Sequence, residues 1–127
     1  MAAAYVDSSC LVAIAFGEPG ARKAAKAMRS YSPLLASNLV EAEVRAALAR
    51  EEAPVSQQVF EGIGWVFPDR ALSAELQRTL DHGRLRGADL WHLAYALFLD
   101  PTASELVFLT LDVPQQRVAA ALGFKTP

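Results

Sequence analysis

Hydrophobic and polar positions along the chain alternate between short β-type runs and helix-length segments. Ala3 to Val6 is a brief apolar run closed by Asp7, and Leu11 to Phe16 continues as a helix-like stretch. Glu18-Pro19-Gly20 breaks the chain and restarts it. From Ala21 to Ser30 an Ala-rich segment carries Arg22, Lys23, Lys26 and Arg29, the pattern of a surface helix with a basic face. Pro33 to Ser37 predicts a second strand. Ser37 or Asn38 then caps a helix running to about Glu52, which Pro54 stops. A weakly patterned helix is predicted over Val55 to Ile63 and a third strand over Gly64 to Phe67. Ala71 to Leu80 fits a helix capped near Asp69 and closing at His82-Gly83. Ala88 to Leu99 is apolar on every side and predicts a buried helix. Leu106 to Thr110 is the clearest strand, and Asp112 and Pro114 open a last helix that ends at Gly123.

Strands alternating with helices at this spacing predict an α/β fold with a parallel sheet flanked by helices. The 127 residues contain no repeat, linker or low-complexity stretch, so one domain over 1–127 is expected. An apolar content of 53% argues against disorder. Cys10 is the only cysteine, which excludes a disulfide framework and a multi-cysteine zinc site. The longest apolar run, Leu90 to Leu99, contains His92 and falls short of the ~20 residues a membrane span needs. Met1 to Tyr5 carries no basic leader, so a soluble cytoplasmic protein is expected, with no membrane partner. The 12 Lys and Arg nearly cancel the 14 Asp and Glu, leaving −2, unlike a protein that holds nucleic acid by bulk charge.

In an open α/β sheet, ligands gather outside the carboxyl ends of the strands. Asp7 and Asp112 fall there, while Glu43 and Asp89 sit on helices. Taken singly, three have structural explanations: Asp7 and Asp112 as helix caps, and Asp89 as a first-turn charge on the helix dipole. Glu43 is harder to dismiss. Its neighbour Glu41 has Arg45 four residues on, but Glu43 has Leu39, Val40, Ala46 and Ala47 at helical spacing and no cation. A carboxylate so bordered is costly unless something compensates it. Four acids brought together would partly protonate unless a cation joined them. A hard divalent ion such as Mg²⁺ takes carboxylate oxygens and leaves room for substrate phosphate, and two of them can assist phosphodiester hydrolysis.

These residues resemble the PIN-domain ribonucleases, and more narrowly the VapC toxins of type II toxin–antitoxin systems. The matching stretches are YVDSSCLVAIAFGEPG, ASNLVEAEVRAALAR, LRGADLWHLAYAL, and FLTLD followed by a short helix and GFK. Together they cover nearly the whole chain in the family's order. The resemblance implies a three-layer α/β sandwich with a central parallel sheet, and an acidic quartet of Asp7, Glu43, Asp89 and Asp112 that is catalytic and binds Mg²⁺ or Mn²⁺. It places Ser8, Ser9 and Thr110 near the metal. It also implies an RNA substrate, a homodimer, and a cognate VapB-like antitoxin that neutralises the toxin in a heterotetramer or larger assembly. His92 recurs in such toxins but reads as a satisfied core histidine. Trp65 and Trp91 read as packing, and Cys10 as a small buried residue. Arg84 and Arg86, just before Asp89, are candidates for RNA phosphates, ahead of the solvated basic helix. Asp100 to Glu105 departs from the family's short polar turn and looks looser.

Two other classes compete. A receiver-type phosphoacceptor domain would want adjacent acids after the first strand and a lysine after a late strand. Asp7 is followed by Ser8, and Lys23, Lys26 and Lys125 follow no suitable strand. A catalytically inactive PIN-fold binding module would have little reason to hold all four acids. A Rossmann domain fails for want of a Gly-rich turn after the first strand. If the quartet is set aside as a metal site, ten acids remain against 12 bases. The near-neutral composition is then compatible with a nucleic-acid substrate.

Overall fold

A computed structural model describes residues 1–54 and 57–127. The elements follow in the order β1 (Ala4–Val6), α1 (Ser8–Phe16), α2 (Ala21–Arg29), β2 (Leu34–Ser37) and α3 (Asn38–Arg50). After a short 3₁₀ turn at Gln57–Phe60 come β3 (Ile63–Val66), α4 (Ser73–Leu80), α5 (Gly87–Leu99), β4 (Val107–Leu109) and α6 (Val113–Leu122). The four strands form one sheet in the order β3-β2-β1-β4, and every pairing is parallel. The sheet and its flanking helices make the PIN-like α/β sandwich.

β1 explains the layering. Its three residues are fully buried, as expected where helices cover both faces of a parallel sheet. Because side chains alternate across a strand, Tyr5 points into one core and Ala4 and Val6 into the other. Tyr5 packs with Leu93, Tyr95 and Leu97 of α5, Phe108 of β4, and Val118, Ala119 and Leu122 of α6. The second core joins Ala4 and Val6 to Cys10 and Leu11 of α1 and to Val40, Val44 and Leu48 of α3.

β1 also sets where a ligand would bind. The chain leaves it toward β2 on one side, while β4 returns on the other: Ala4 pairs with both Leu34 and Val107. Such a reversal of strand order opens a crevice beyond the strand ends. Asp7 follows β1 there, and Thr110 to Asp112 follow β4.

Most predicted elements are present, with shifted ends. α1 begins at Ser8, three residues before the predicted stretch, because Asp7 caps it by accepting from the Ser9 amide. The predicted helix over Val55 to Ile63 lies partly outside the described residues. Within them the chain forms only the 3₁₀ turn, and Ile63 already pairs with Leu34 in the sheet. α4 lacks the predicted Asp69 cap. Its N-cap is Leu72, buried in the core, and Arg70 instead binds Glu75 of the first turn. The Asp100 to Glu105 connection is not loose. Asp100 accepts hydrogen bonds from the Glu105 and Leu106 amides and from the Thr102 hydroxyl. Although burial pushes its pKa up, the amides of Leu106 and Glu105 and the Thr102 hydroxyl hold it below the usual carboxylate range. α6 closes as predicted on Gly123, whose φ of 114° suits a residue without a Cβ.

Candidate active site

Asp7 is 3% exposed at the end of β1. Its Oδ2 accepts from the Ser9 amide at 3.3 Å and from the Thr110 hydroxyl at 3.0 Å. Ser9 Oγ lies 3.2 Å from Thr110 Oγ1 and accepts from the Leu111 amide at 2.9 Å, tying the β1 and β4 ends together. One side of the Asp7 carboxylate is thereby fixed. Oδ1, buried with it, has no hydrogen-bond partner among the described residues. A buried polar atom without a partner is uncommon and points to a group that satisfies it when bound.

Glu43 reaches the same place from α3. Its helix supplies no partner, as the sequence shows, but α5 does: His92 Nε2 lies 2.5 Å from Glu43 Oε1 and 3.7 Å from Asp7 Oδ1. The other ring nitrogen, Nδ1, is 2.7 Å from the Tyr5 hydroxyl. Tyr5 in turn accepts from the Ser37 amide at 3.3 Å, and Trp91 donates to Ser37 Oγ at 3.3 Å. Tyr5 and His92 are both fully buried. Burial keeps the Tyr5 phenol protonated well above its usual range, with the charge of Asp7 adding to the effect.

Asp89 and Asp112 line the open cleft that Asp7 faces, together with Ser8, Ser9, Glu18, Pro19 and Leu111; its volume is about 410 Å³. Desolvation, then the negative charges of Asp7 and Asp112, raise the Asp89 pKa, with Glu43 adding and His92 opposing. Asp89 therefore feels the charge of the other three predicted acids. Asp112 also performs the structural role expected of it: its Oδ2 caps α6 by accepting from the Gln115 amide. Gln115 itself is fully buried. Its Oε1 lies 2.7 Å from Thr110 Oγ1, whose one proton it shares with Asp7 Oδ2, and its amide donates to the Asp89 backbone carbonyl, linking three segments behind the cleft.

Carboxylates facing one another around an unpartnered oxygen fit a cation far better than they fit water alone. Among the described residues, ligand atoms of Asp7, Glu43 and His92 lie within 4.8 Å of one another, a spacing that could hold a metal ion. A family model for the PIN domain matches residues 4–121. The chain belongs to the PIN domain family. No curated protein matches it.

Three features of this PIN domain escape the sequence. Gln115 reads as an ordinary polar residue of a capped helix. Glu18 reads only as part of a turn, yet it lines the cleft beside Asp7. His92 is buried, as expected of a core histidine, but it also touches Glu43. The signal for it is its position three residues after Asp89, which puts both on one helical face. Other expectations for single residues hold locally. Glu41 and Arg45 form a 2.8 Å half-exposed pair, and Cys10 is buried, its thiol pushed up to about 12 by desolvation and by Asp7. Trp65 packs on Phe60 and Trp91 on Tyr95. Arg84 and Arg86 are exposed just before and at the N-cap of α5. No helix of the described chain is long and apolar enough to cross a membrane.

Proposed function

We propose that this PIN domain is a metal-dependent endoribonuclease of the VapC toxin type, cutting RNA phosphodiester bonds with Mg²⁺ or Mn²⁺. PIN domains are generally nucleases, and the observation that carries the reading here is Asp7 Oδ1. It is a buried carboxylate oxygen with no hydrogen-bond partner among the described residues, facing a cleft that Asp89 and Asp112 share and that Glu43 adjoins.

Asp7, Glu43, Asp89 and Asp112 would hold the ion. A bound divalent ion supplies charge neutralisation for a phosphodiester and favours attack by water on phosphorus. The chain's own part is orientation. The Ser9 amide and Thr110 hydroxyl pin Asp7 Oδ2 and leave Oδ1 directed at the site. The raised Asp89 pKa marks a carboxylate whose charge is poorly compensated without a cation, which favours binding one. Ser8 borders the same cleft, at the first position of α1. Arg84 and Arg86 offer exposed cations before Asp89 for RNA phosphates. In the toxin reading a cognate VapB-like antitoxin covers this cleft, and the chain assembles as a homodimer within a heterotetramer or larger complex. A receiver-type role is disfavoured because the residues after β4, Thr110 to Asp112, include no lysine.

The test is cleavage of total RNA by purified protein with Mg²⁺, with chelator, and with Asp7→Asn. Cleavage that requires the ion and falls at least 100-fold in the variant is expected. Metal-independent cleavage, or full activity in Asp7→Asn, would overturn the mechanism.

A further inference from the structure

His92 can be read in two ways. Its Nε2 belongs to the cluster of atoms that could ligate an ion, yet both ring nitrogens already have partners in the chain. A carboxylate that is to hold a cation is ionised and only accepts hydrogen bonds, so in the metal-site reading it is Nε2, 2.5 Å from Glu43 Oε1, that donates. A protonated imidazole nitrogen has no lone pair for a metal. In the neutral ring Nδ1 then accepts, and the proton it accepts comes from the Tyr5 hydroxyl at 2.7 Å. Tyr5 is free to give it, because the Ser37 amide donates to the Tyr5 oxygen. If Tyr5 gave its proton to Ser37 Oγ instead, a neutral His92 would turn a bare Nε2 lone pair toward a carboxylate, a repulsive contact at this distance.

We propose that Tyr5 and His92 form a buried positioning relay for Glu43, from the Ser37 amide through Tyr5 and His92 to the carboxylate, and that His92 is not itself a metal ligand. The inference rests on the metal-site reading above and deepens it. The relay crosses the sheet end from β1 to α5 and meets Glu43 on α3, three segments far apart in sequence. It fixes Oε1 of Glu43, as Ser9 and Thr110 fix Oδ2 of Asp7. Each of these two carboxylates is thereby oriented before an ion binds. Tyr5 is a residue that no acidic motif would single out.

The experiment uses the wild-type chain with Tyr5→Phe, His92→Gln and His92→Leu, each checked for folding by circular dichroism. Imidazole ¹⁵N NMR of the metal-free protein reads the tautomer of His92; the other histidine, His82, is exposed and serves as reference. Nε2 is expected to carry the proton and Nδ1 to accept one. Mn²⁺ titrations followed by electron paramagnetic resonance should show affinity falling tenfold or more in Tyr5→Phe. His92→Gln, which can still donate to Glu43, should keep more affinity than His92→Leu. Pulsed spectra of the Mn²⁺-loaded wild type should show no directly coordinated nitrogen.

Three results would each overturn the relay: a proton on Nδ1 with Nε2 bare, a coordinated nitrogen that disappears in His92→Gln, or wild-type Mn²⁺ affinity in a folded Tyr5→Phe. Absence of Mn²⁺ binding by the wild type would also overturn it. Should Tyr5→Phe not fold, the tautomer and the nitrogen coupling of the wild type decide alone. If the relay results hold but no RNA is cut, the nuclease reading alone falls.

Discussion

Asp7 shows how one residue serves structure and site together. Its Oδ2 caps α1 and binds Thr110, while Oδ1 is buried without a hydrogen bond among the described residues, 3.7 Å from His92 Nε2. Of the two oxygens, Oδ2 carries the hydrogen bonds to the described residues. Asp7→Asn keeps the cap acceptor and removes the charge, so melting in chelator should leave its stability at or above wild type while activity is lost. Glu43 differs, because its partner is buried. Glu43→Ala leaves the His92 Nε2–H without an acceptor and should cost about 1–3 kcal/mol, measured by urea denaturation. Glu43→Gln, whose amide oxygen can accept in its place, should cost less than that.

At the scale of elements, the connection before β4 is held by charge and the end of α6 by backbone conformation. Asp100 receives two backbone amides and a hydroxyl, and its pKa is depressed. A depressed carboxylate contributes stability above its unfolded pKa, and that contribution disappears as pH falls through the folded value. Replacing it by Ala should therefore cost about 1 kcal/mol at neutral pH, discounted for its partial exposure. The gap between wild type and variant should close in strong acid, as read from melts across pH. At the other end of α6, Gly123 holds a positive φ, and a Cβ would meet the Ala103 carbonyl oxygen at 3.3 Å. Gly123→Ala should cost about 1–2 kcal/mol in the same assay.

For the whole molecule, a cation held by the acids at the sheet end would couple its binding to folding. An ion that binds the folded chain alone stabilises it by about 2.7 kcal/mol at a hundred times its dissociation constant. Melting with Mn²⁺ against chelator should show a rise in Tm for wild type that is absent in Asp7→Asn. An equal rise in both would place the ion elsewhere. The layout of strands makes this coupling possible, since Asp7 and Thr110 are 103 positions apart in sequence yet share a hydrogen bond at the ends of neighbouring strands.

The order of elements was legible along the chain because local physics sets it. Period-two and period-3.6 patterns, the Asp7 and Asp112 caps and the Gly123 stop each act within a few residues. The places of Asp7 and Asp112 after strands, and the want of a partner for Glu43 on its own helix, were legible for a similar reason, and the PIN resemblance is a matter of sequence order. Where the local signal was weak, prediction slipped. Ile63 was expected in a helix and is in the sheet, and Asp69 was expected to cap α4 but lies outside it, because tertiary burial of Leu72 and pairing of Ile63 outweigh local preference. What Glu43 touches could not be read from α3, since its partner comes from α5 and is itself held by Tyr5 of β1. Such contacts depend on how three elements pack across the sheet. The sequence alone determines which residues are acids and which segments carry them. The tertiary structure decides which oxygens of Asp7 and Glu43 are held, because hydrogen-bond partners are assigned by packing.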